Sequence, residues 1–270
     1  MISVVILTKN EEQDLPACLE SVAWSDDIHV FDSFSTDNTV DYALRAGAHV
    51  TQRKFDNYAA QRNASLHEIQ FKYAWVLILD ADERVPDRLR LEMMRFIVSP
   101  PPGVSACRLR RRDYFNNTWL KHAQLSPYYI RLVQPNRVYY EREVNEVLKV
   151  EGNIVELSEP FDHHPFSKGM RHWLDKHNSY SSMEATLVLA SRRGSVPFSV
   201  RRAFFCSDFN VRRFHQKELF YRLPLRPAIK FCIIYFLRRG FLDGRAGLTY
   251  ALLQSFYEYM IVLKTREYFK

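Results

Sequence analysis

The chain has 270 residues, of which 47% are hydrophobic, 26% are charged and 14% are aromatic. This balance is typical of a folded globular protein, so it excludes an intrinsically disordered chain and a collagen-like repeat. The length accommodates one large domain, or one domain with an appended module.

The positive charge is concentrated towards the C-terminus. The formal net charge is +7, yet the first 191 residues hold 22 Lys and Arg against 26 Asp and Glu. This asymmetry indicates two functions in two regions and predicts an anionic partner, which is a nucleotide, a nucleic acid or a membrane. The four cysteines are far apart and form no Cys-x-x-Cys pair, so we expect reduced thiols in a cytosolic protein without a signal peptide.

Strands and helices alternate over the first 100 residues. The apolar runs predict strands at 2–7, 28–31, 49–51 and 75–79, and helices at 12–22, through 43–44, at 58–69 and at 86–98. This order predicts an α/β fold with a doubly wound, mostly parallel sheet, in which ligands bind beyond the carboxyl ends of the strands. Polar clusters fall at those ends, at Thr8–Glu12, Asp32–Asp37 and Asp80–Glu83.

The rest of the chain changes character twice. Residues 106–157 have an irregular β pattern, with short strands at 105–108, 128–133, 138–140 and 147–150. From Phe166 onwards the pattern is helical, with a loop at 195–200. Two apolar stretches, 228–237 and 246–263, are separated by a turn at 238–247 that contains Asp243-Gly244.

The sequence Asp80-Ala81-Asp82 follows the apolar strand that ends at Leu79. Residues two apart at a strand end point the same way, so the two carboxylates lie side by side in the ligand crevice. Such hard oxygen ligands suit Mg²⁺ or Mn²⁺ bound together with a diphosphate. The alternative is an acidic turn that caps the next helix.

Two further clusters fit a nucleotide at the same edge of the sheet. Thr8-Lys9-Asn10-Glu11 follows the first strand and faces a base, while Asp32 ends the second strand and accepts from a base N–H or a ribose hydroxyl. The alternative is helix capping, by Thr8 or Asn10 for the first helix and by Thr36 and Asp37 for the second.

Together these clusters resemble glycosyltransferase family 2, whose members have the GT-A fold. The family pattern appears here in order as TKNEE, DSFSTDNT and DADE. Between the last two, Tyr58–Asn63 resembles the Ala/Gln-Arg-Asn helix of the family, in which Arg62 lies near the donor. Phe34 stands where the family has a small residue, often Gly. The resemblance covers residues 1–150 firmly.

Later motifs resemble the bacterial branch of lipopolysaccharide-core β-1,4-glucosyltransferases and exopolysaccharide glycosyltransferases. That branch has His-Glu after the core, and this chain has Asn145-Glu146. It then has a His-rich strand, here Asp162-His163-His164-Pro165, and a helix with Lys-His-Asn-x-Tyr, here 176–180. His163 and His164 are adjacent, so at most one of them enters the site. The helix is expected to border the acceptor site, and a purely structural helix is the alternative.

The resemblance implies an inverting transfer of a sugar from a nucleotide diphosphate donor, with UDP as the nucleotide, assisted by Mg²⁺ or Mn²⁺. It makes Glu146 the general base, with Glu143 and Asp162 as rivals. The metal is assigned to Asp82, with Asp80 near it or near the ribose. Donor contacts are assigned to Thr8, Asn10, Glu11, Asp32, Arg62, Asp80 and Arg131; an ordinary solvated arginine is the alternative for Arg131.

The basic C-terminal region predicts contact with an anionic membrane surface. Its apolar stretches are flanked by arginines but are too short or too polar to span a bilayer, so we expect a helical hairpin in the headgroup region. Packing on the catalytic domain or on a second subunit is the alternative. Without a recognised motif, nucleic acid is not expected as a partner.

These observations divide the chain into a catalytic domain at 1–160, an acceptor-side helical segment at 161–221 and the hairpin at 222–270. A peripheral enzyme at the cytoplasmic face of the inner membrane, acting on a lipid-linked or lipopolysaccharide-core glycan, is expected. Two alternatives remain: a nucleotidyltransferase of similar fold, although a Gly-rich phosphate loop is absent from the sequence, and a non-catalytic membrane scaffold.

Overall fold

The structure is a computed structural model that describes residues 1–141, 147–193 and 198–268. The strands are β1 (Ser3–Thr8), β2 (Ile28–Asp32), β3 (His49–Gln52), β4 (Val76–Asp80), β5 (Glu83–Arg84), β6 (Val104–Phe115), β7 (Thr118–Trp119), β8 (Tyr128–Val133), β9 (Val138–Glu141), β10 (Val147–Val150), β11 (Asn153–Glu156) and β12 (Phe161–His163). The helices are α1 (Leu15–Val22), α2 (Thr39–Arg45), α3 (Tyr58–His67), α4 (Asp87–Val98), α5 (Gly169–Arg193), α6 (Val200–Phe205), α7 (Phe209–Arg222), α8 (Arg226–Cys232) and α9 (Gly244–Glu267).

The expected α/β fold is confirmed. Each strand and helix predicted in the first 100 residues is present. Where both ends of an element were predicted, each end differs from the prediction by at most three residues. The main sheet has the order β3-β2-β1-β4-β8-β6-β12-β5, and β9 pairs with β10 in a second, two-stranded sheet. Strands β3, β2, β1 and β4 are parallel, whereas β8 is antiparallel to both of its neighbours, β4 and β6.

The strand register brings the predicted polar clusters to one edge of the sheet. Thr8 is the partner of Asp32, and Asp32 is in turn the partner of Gln52. On the other side of β1, Leu7 is the partner of Asp80. The last residues of β1, β2 and β4 therefore lie in one row at the carboxyl edge.

Strands β1 and β4, at the centre of the parallel part of the sheet, are buried on both faces, which explains their nearly continuous apolar sequences. In β1, Val4 and Ile6 join the hydrophobic cluster that contains Leu15 of α1 and Met93 of α4. Val5 points to the other face, into a cluster with the alanines of α3. Alternate side chains of one strand thus fill two cores, and the sheet is fixed in position between them.

Two local expectations are wrong. Neither Thr8 nor Asn10 caps the first helix, because α1 begins at Leu15 with Asp14 at its N-cap position and no side-chain cap. Asp82 and Glu83 do not cap α4 either, since its N-cap residue is Pro86. Both sets of polar side chains are engaged in tertiary contacts instead, as described for the candidate site.

The chain forms two compact units. One consists of residues 1–114 and 126–168 and contains the sheet; the other consists of residues 115–125 and 169–270 and is mainly helical. In the helical unit, α9 packs against both α5 and α8. None of the helices in the described ranges is long and apolar enough to cross a membrane. The functional division at residues 160 and 221 stays a prediction.

One buried carboxylate stabilises the end of the sheet opposite to the polar clusters. Asp27 is 5% exposed and accepts hydrogen bonds from the Ser3 hydroxyl at 2.5 Å, the Lys72 backbone N–H at 2.8 Å and the ring of His29 at 2.9 Å. Burial raises the pKa of Asp27, but these hydrogen bonds outweigh it and hold the pKa below its usual value.

We expect Asp27→Ala to lower the free energy of unfolding by about 2–4 kcal/mol, because it leaves several buried donors unpaired. Asp26→Ala is the matched control; its exposed carboxylate contacts Lys72, and its loss should cost much less than the loss of Asp27. Urea unfolding measures both. Because the folded pKa of Asp27 is lowered, its contribution is complete above about pH 4 and is lost as the pH falls further, so Asp27→Ala should flatten that decline.

Candidate active site

Asp32 ends β2 with its carboxylate fully buried among donors from three segments. Its Oδ1 accepts from the Thr8 hydroxyl at 2.9 Å, and its Oδ2 accepts from the Ser35 backbone N–H at 2.8 Å and the Gln52 amide at 2.9 Å. Burial raises the pKa of Asp32, but these bonds outweigh it and hold the pKa below its usual value. Asp32 is thus a fixed anion that joins β1, β2 and β3. Its contact with the nucleotide-sugar donor stays a prediction, as does that of Thr8.

The loops after β1 and β2 hold each other in place. The Asn10 side-chain oxygen accepts from the Thr36 backbone N–H at 2.8 Å, and Lys9 Nζ donates to the Ser33 carbonyl at 2.9 Å. Asn10 and Phe34 both have left-handed backbone conformations, with φ of 55° and 57°. That φ explains why the related family has a small residue at the position of Phe34, whose ring is 51% exposed here.

Asp80, at the end of β4, lies between two guanidinium groups. Arg62 of α3 donates to its Oδ1 at 3.1 Å, and Arg131 of β8 donates to its Oδ2 at 2.9 Å. Burial raises the pKa of Asp80, but the two arginines outweigh it and hold the pKa well below its usual range. The structure therefore brings together three residues that the sequence assigned to the donor site.

Glu83 is the buried counter-ion beneath this cluster. Its side chain is 1% exposed and forms an ion pair with Arg131, while its Oε2 accepts from the Asp80 backbone N–H at 3.1 Å. Burial raises the pKa of Glu83 to about 7, against the opposing effect of Arg131. Arg131 is itself 6% exposed and lies over the ring of Phe161 at 5.5 Å. It is a buried, paired arginine, not a solvated one.

Asp82 contacts His163, whose other ring nitrogen contacts a second carboxylate. His163 Nε2 lies 3.3 Å from Asp82 Oδ2, and His163 Nδ1 lies 2.5 Å from the buried Asp113. Burial lowers the pKa of His163, but these two carboxylates raise it to about 9. His164 instead stacks on Tyr114, with ring centroids 5.0 Å apart. As expected for neighbours on a strand, only one of the two histidines faces this cluster.

The segment that follows β12 lies against the first loop. Lys168 Nζ donates to Glu11 Oε1 at 2.7 Å and to the Asn10 carbonyl at 2.9 Å, and the Ser167 hydroxyl donates to Asp14 at 2.7 Å. Glu11 Oε2 is buried and has no hydrogen-bond partner in the part of the chain described. Burial raises the pKa of Glu11 to about 7, although Lys168 lowers it.

The predicted base cannot be compared with this geometry. Glu146 and its rival Glu143 lie outside the described residues. The other rival, Asp162, accepts from Arg112 at 2.5 Å, and burial raises its pKa against the effect of Arg112. The assignment of the base to Glu146 stays a prediction.

The described ranges contain no group of three or more His, Cys, Asp or Glu side chains arranged to hold a metal ion. Asp82 with His163 nevertheless offers one oxygen and one nitrogen ligand side by side. Mg²⁺ commonly binds one or two carboxylates and takes its remaining ligands from phosphates and water. A hollow of about 550 Å³ lies elsewhere, at the amino ends of β2 and β3, and contains none of the candidate residues.

Three contributors were missed by the sequence reasoning. Glu83 was placed in the strand-end cluster Asp80–Glu83 without a role of its own, and its burial under Arg131 is a tertiary contact. Asp113 gave no local signal, since it lies within the charged strand β6. Lys168 also gave none. No local sequence pattern would have identified the contact of Glu83, because Arg131 is 48 residues away.

Comparison with known proteins places this geometry in context. The sequence model of the family described as "Glycosyl transferase family 2" matches residues 3–175. The lipopolysaccharide core biosynthesis glycosyltransferase LpsC of Rhizobium meliloti is 25% identical over 94% of this chain and 90% of its own length. An uncharacterized glycosyltransferase of Rickettsia typhi is 38% identical, over 34% of this chain and 31% of its own length.

Among solved structures, glucosyl-3-phosphoglycerate synthase from Mycobacterium tuberculosis, crystallised with Mn²⁺, UDP and glucosyl-3-phosphoglycerate, is similar over 42% of this chain and 44% of its own. The two share 22% sequence identity, and the TM-score is 0.35. The site assignments here therefore rest on the geometry of this chain and on the family match.

The ion pair of Glu83 and Arg131 can be measured without any ligand. We expect Glu83→Gln and Arg131→Gln each to lower the free energy of unfolding by about 3 kcal/mol, because each leaves a buried partner uncompensated. The double variant should lose about 1–3 kcal/mol less than the sum of the two single losses, because that sum counts the shared contact twice. Denaturant unfolding tests this. Asp87→Asn, whose carboxylate is 88% exposed, is the control, and additive losses would contradict the coupling.

Proposed function

This glycosyltransferase belongs to glycosyl transferase family 2, and we propose that it moves a sugar from a UDP-sugar to a lipid-linked or lipopolysaccharide-core glycan, with inversion at the anomeric carbon. The observation that carries this proposal is the row of Thr8, Asp32 and Asp80 at the carboxyl edge of the sheet, with Asp82 beyond it. That edge is where nucleotides bind in sheets of this kind. The similarity to LpsC along nearly the whole chain supports the acceptor class.

We assign different roles in donor binding to the charged groups at the end of β4. Both carboxylate oxygens of Asp80 already accept from arginines, so we assign it to holding Arg62 and Arg131 in place. Arg62, which is held in this way and is the less buried of the two, is assigned to the donor phosphates, because planar guanidinium groups suit phosphate oxygens. The donor contact of Arg131 stays a prediction. The exposed Asn10 and the loop that contains it are assigned to the nucleoside.

A divalent cation, Mg²⁺ or Mn²⁺, fits the chemistry of Asp82 and His163. Asp82 is partly exposed, and the Asp113 hydrogen bond at Nδ1 turns His163 Nε2 towards it. A carboxylate behind a metal-binding histidine commonly fixes the orientation of its ring. To act as a ligand, His163 gives up its Nε2 proton. When bound, the cation stabilises the negative charge that develops on the leaving diphosphate.

The chain itself must remove one proton during the transfer. We assign Glu146 to accept the proton of the acceptor hydroxyl as its oxygen bonds to the anomeric carbon. The bond from that carbon to the diphosphate oxygen breaks, and the nucleoside diphosphate leaves with the electron pair. Attack from the face opposite to the leaving group inverts the configuration.

A lipid-linked acceptor would be met at a membrane. We therefore propose a peripheral location at the cytoplasmic face of the inner membrane. The excess of Lys and Arg over Asp and Glu in the last 79 residues, 16 against 5, supports an anionic surface as the partner. Family membership favours glycosyl transfer over nucleotidyl transfer and over a scaffold without activity.

Asp82→Ala should abolish transfer and the metal-dependent part of nucleotide binding. The measurement is thermal unfolding with UDP or other nucleoside diphosphates, in the presence of Mn²⁺, Mg²⁺ or EDTA. Bound ligand raises the melting temperature by mass action, so UDP with metal should raise it in the parent chain and not in Asp82→Ala. Asp87→Ala, with a carboxylate that is 88% exposed, should behave as the parent. Full activity of Asp82→Ala would overturn the metal assignment.

Glu146→Gln should lower kcat by a factor of about 10²–10⁴ while leaving nucleotide binding unchanged, because it removes only the proton acceptor. Glu143→Gln and Asp162→Asn are the matched variants for the two rival carboxylates. Rates come from nucleoside diphosphate release, and the anomeric configuration of the product from NMR. If Glu143→Gln or Asp162→Asn has the larger kinetic effect, the base is that residue; a product with retained configuration contradicts inversion.

A further inference from the structure

Helix α9 exposes five large apolar side chains along one face. They lie three or four positions apart and are exposed by 38–53%. This α9 stripe consists of Leu248, Leu252, Phe256, Tyr259 and Leu263. The opposite face packs against α5 and α8, and its buried residues are Ala246, Gly247, Ala251, Glu258, Ile261 and Thr265. On a surface helix of a water-soluble protein, the face away from the core is charged or polar.

No charged side chain interrupts the α9 stripe. Between Leu248 and Leu263 the sequence contains one charged residue, Glu258. Glu258 is 5% exposed and lies 3.3 Å from Arg226 of α8, so it faces the interior of the helical unit. An uncharged apolar face therefore runs for about 22 Å along the helix, at the usual rise per residue. Exposed apolar surfaces of this extent mark interaction sites.

The segment before α9 exposes four more large apolar residues, at the end of a π-helical turn (Ile233–Leu237) and in a 3-10 turn (Gly240–Asp243). This tip loop contains Phe236, Leu237, Phe241 and Leu242, which are exposed by 59%, 77%, 46% and 55%.

The tip loop is held rigidly from below. The Asp243 carboxylate accepts from the backbone N–H groups of His122 and Ala123, at 2.9 and 2.7 Å. At Gly247, a Cβ atom would lie 2.0 Å from the Gly240 carbonyl oxygen, so the two backbones meet closely. These contacts fix the exposed side chains at the surface.

Three arginines accompany the tip loop. Arg239 and Arg245 are exposed and Arg238 is partly exposed. The two acidic residues between positions 236 and 263, Asp243 and Glu258, are both buried. Apolar side chains beside exposed cations are the combination that binds at the headgroup level of an anionic bilayer.

We propose that the tip loop and the α9 stripe together form a docking surface for an anionic lipid bilayer, with the apolar side chains among the acyl chains and the arginines at the phosphates. This deepens the proposed function, because it rests on an acceptor that is lipid-linked. A second copy of the chain is a poorer occupant, since the surface carries cations without exposed anions of its own to pair with them.

The test is co-sedimentation of the full chain with vesicles of phosphatidylethanolamine and phosphatidylglycerol, compared with phosphatidylcholine vesicles. Leu252→Ser/Phe256→Ser and Arg238→Gln/Arg239→Gln/Arg245→Gln should each weaken binding to the anionic vesicles by at least about tenfold. Leu91→Ser/Val98→Ser is the control, because these α4 residues are also exposed, by 44% and 83%. The donor is absent from this assay, so failure of vesicle binding and failure of UDP binding are separate results.

Equal binding to both vesicle types, or unchanged binding by both variants, overturns the proposal. So does a parent dimer that becomes monomeric in Leu252→Ser/Phe256→Ser, measured by sedimentation velocity. If a variant unfolds, Phe241→Trp gives an independent measurement at the tip loop. Its added fluorescence should shift to the blue with anionic vesicles and be quenched by brominated acyl chains, and the absence of both effects contradicts insertion.

Discussion

The carboxylate of Asp80, held between Arg62 and Arg131 above the buried Glu83, is the interaction on which the candidate site depends. A guanidinium group as deeply buried as that of Arg131 is tolerated only when its charge is balanced, which Asp80 and Glu83 do here. The balance requires α3, β4 and β8 to stand in fixed positions, since each contributes one member of the cluster. The same requirement sets the direction of the Asp80–Asp82 turn, and through it the position of Asp82 in front of His163.

The residues around Asp82 form a second, differently balanced cluster. Here one imidazole lies between the carboxylates of Asp82 and Asp113, and Arg111 lies 3.0 Å from Asp113. The first cluster is closed on itself, because the two oxygens of Asp80 are already used. The second has a partly exposed carboxylate at its outer end, which gives an incoming cation a place to bind. Asp80 and Asp82 thus have different surroundings, although they are only two residues apart in the sequence.

Much of the fold was predictable because β1, β2 and β4 are buried on both faces and are therefore rich in apolar residues. Asp32 and Asp80 were found for the same reason, since each ends such a strand. The sequence could not show that Glu83 turns under Arg131, 48 residues away, because no local pattern encodes that contact. Nor could it show which face of α9 is packed. Small residues such as Gly247 and Ala251 permit close helix packing, and the five large apolar side chains of the α9 stripe are left outside.

The helical unit has a consequence for the order in which the chain can fold during synthesis. It includes residues 115–125, which leave the ribosome early, and Asp243, which binds the backbone of His122 and Ala123, follows about 120 residues later. Until Asp243 is synthesised, the backbone N–H groups of His122 and Ala123 lack this partner, although the residues that form the sheet have already been synthesised. A chain truncated after residue 168 would keep the segment permanently in that state. The segments of the two units alternate along the chain, so a single cut in the chain cannot separate them.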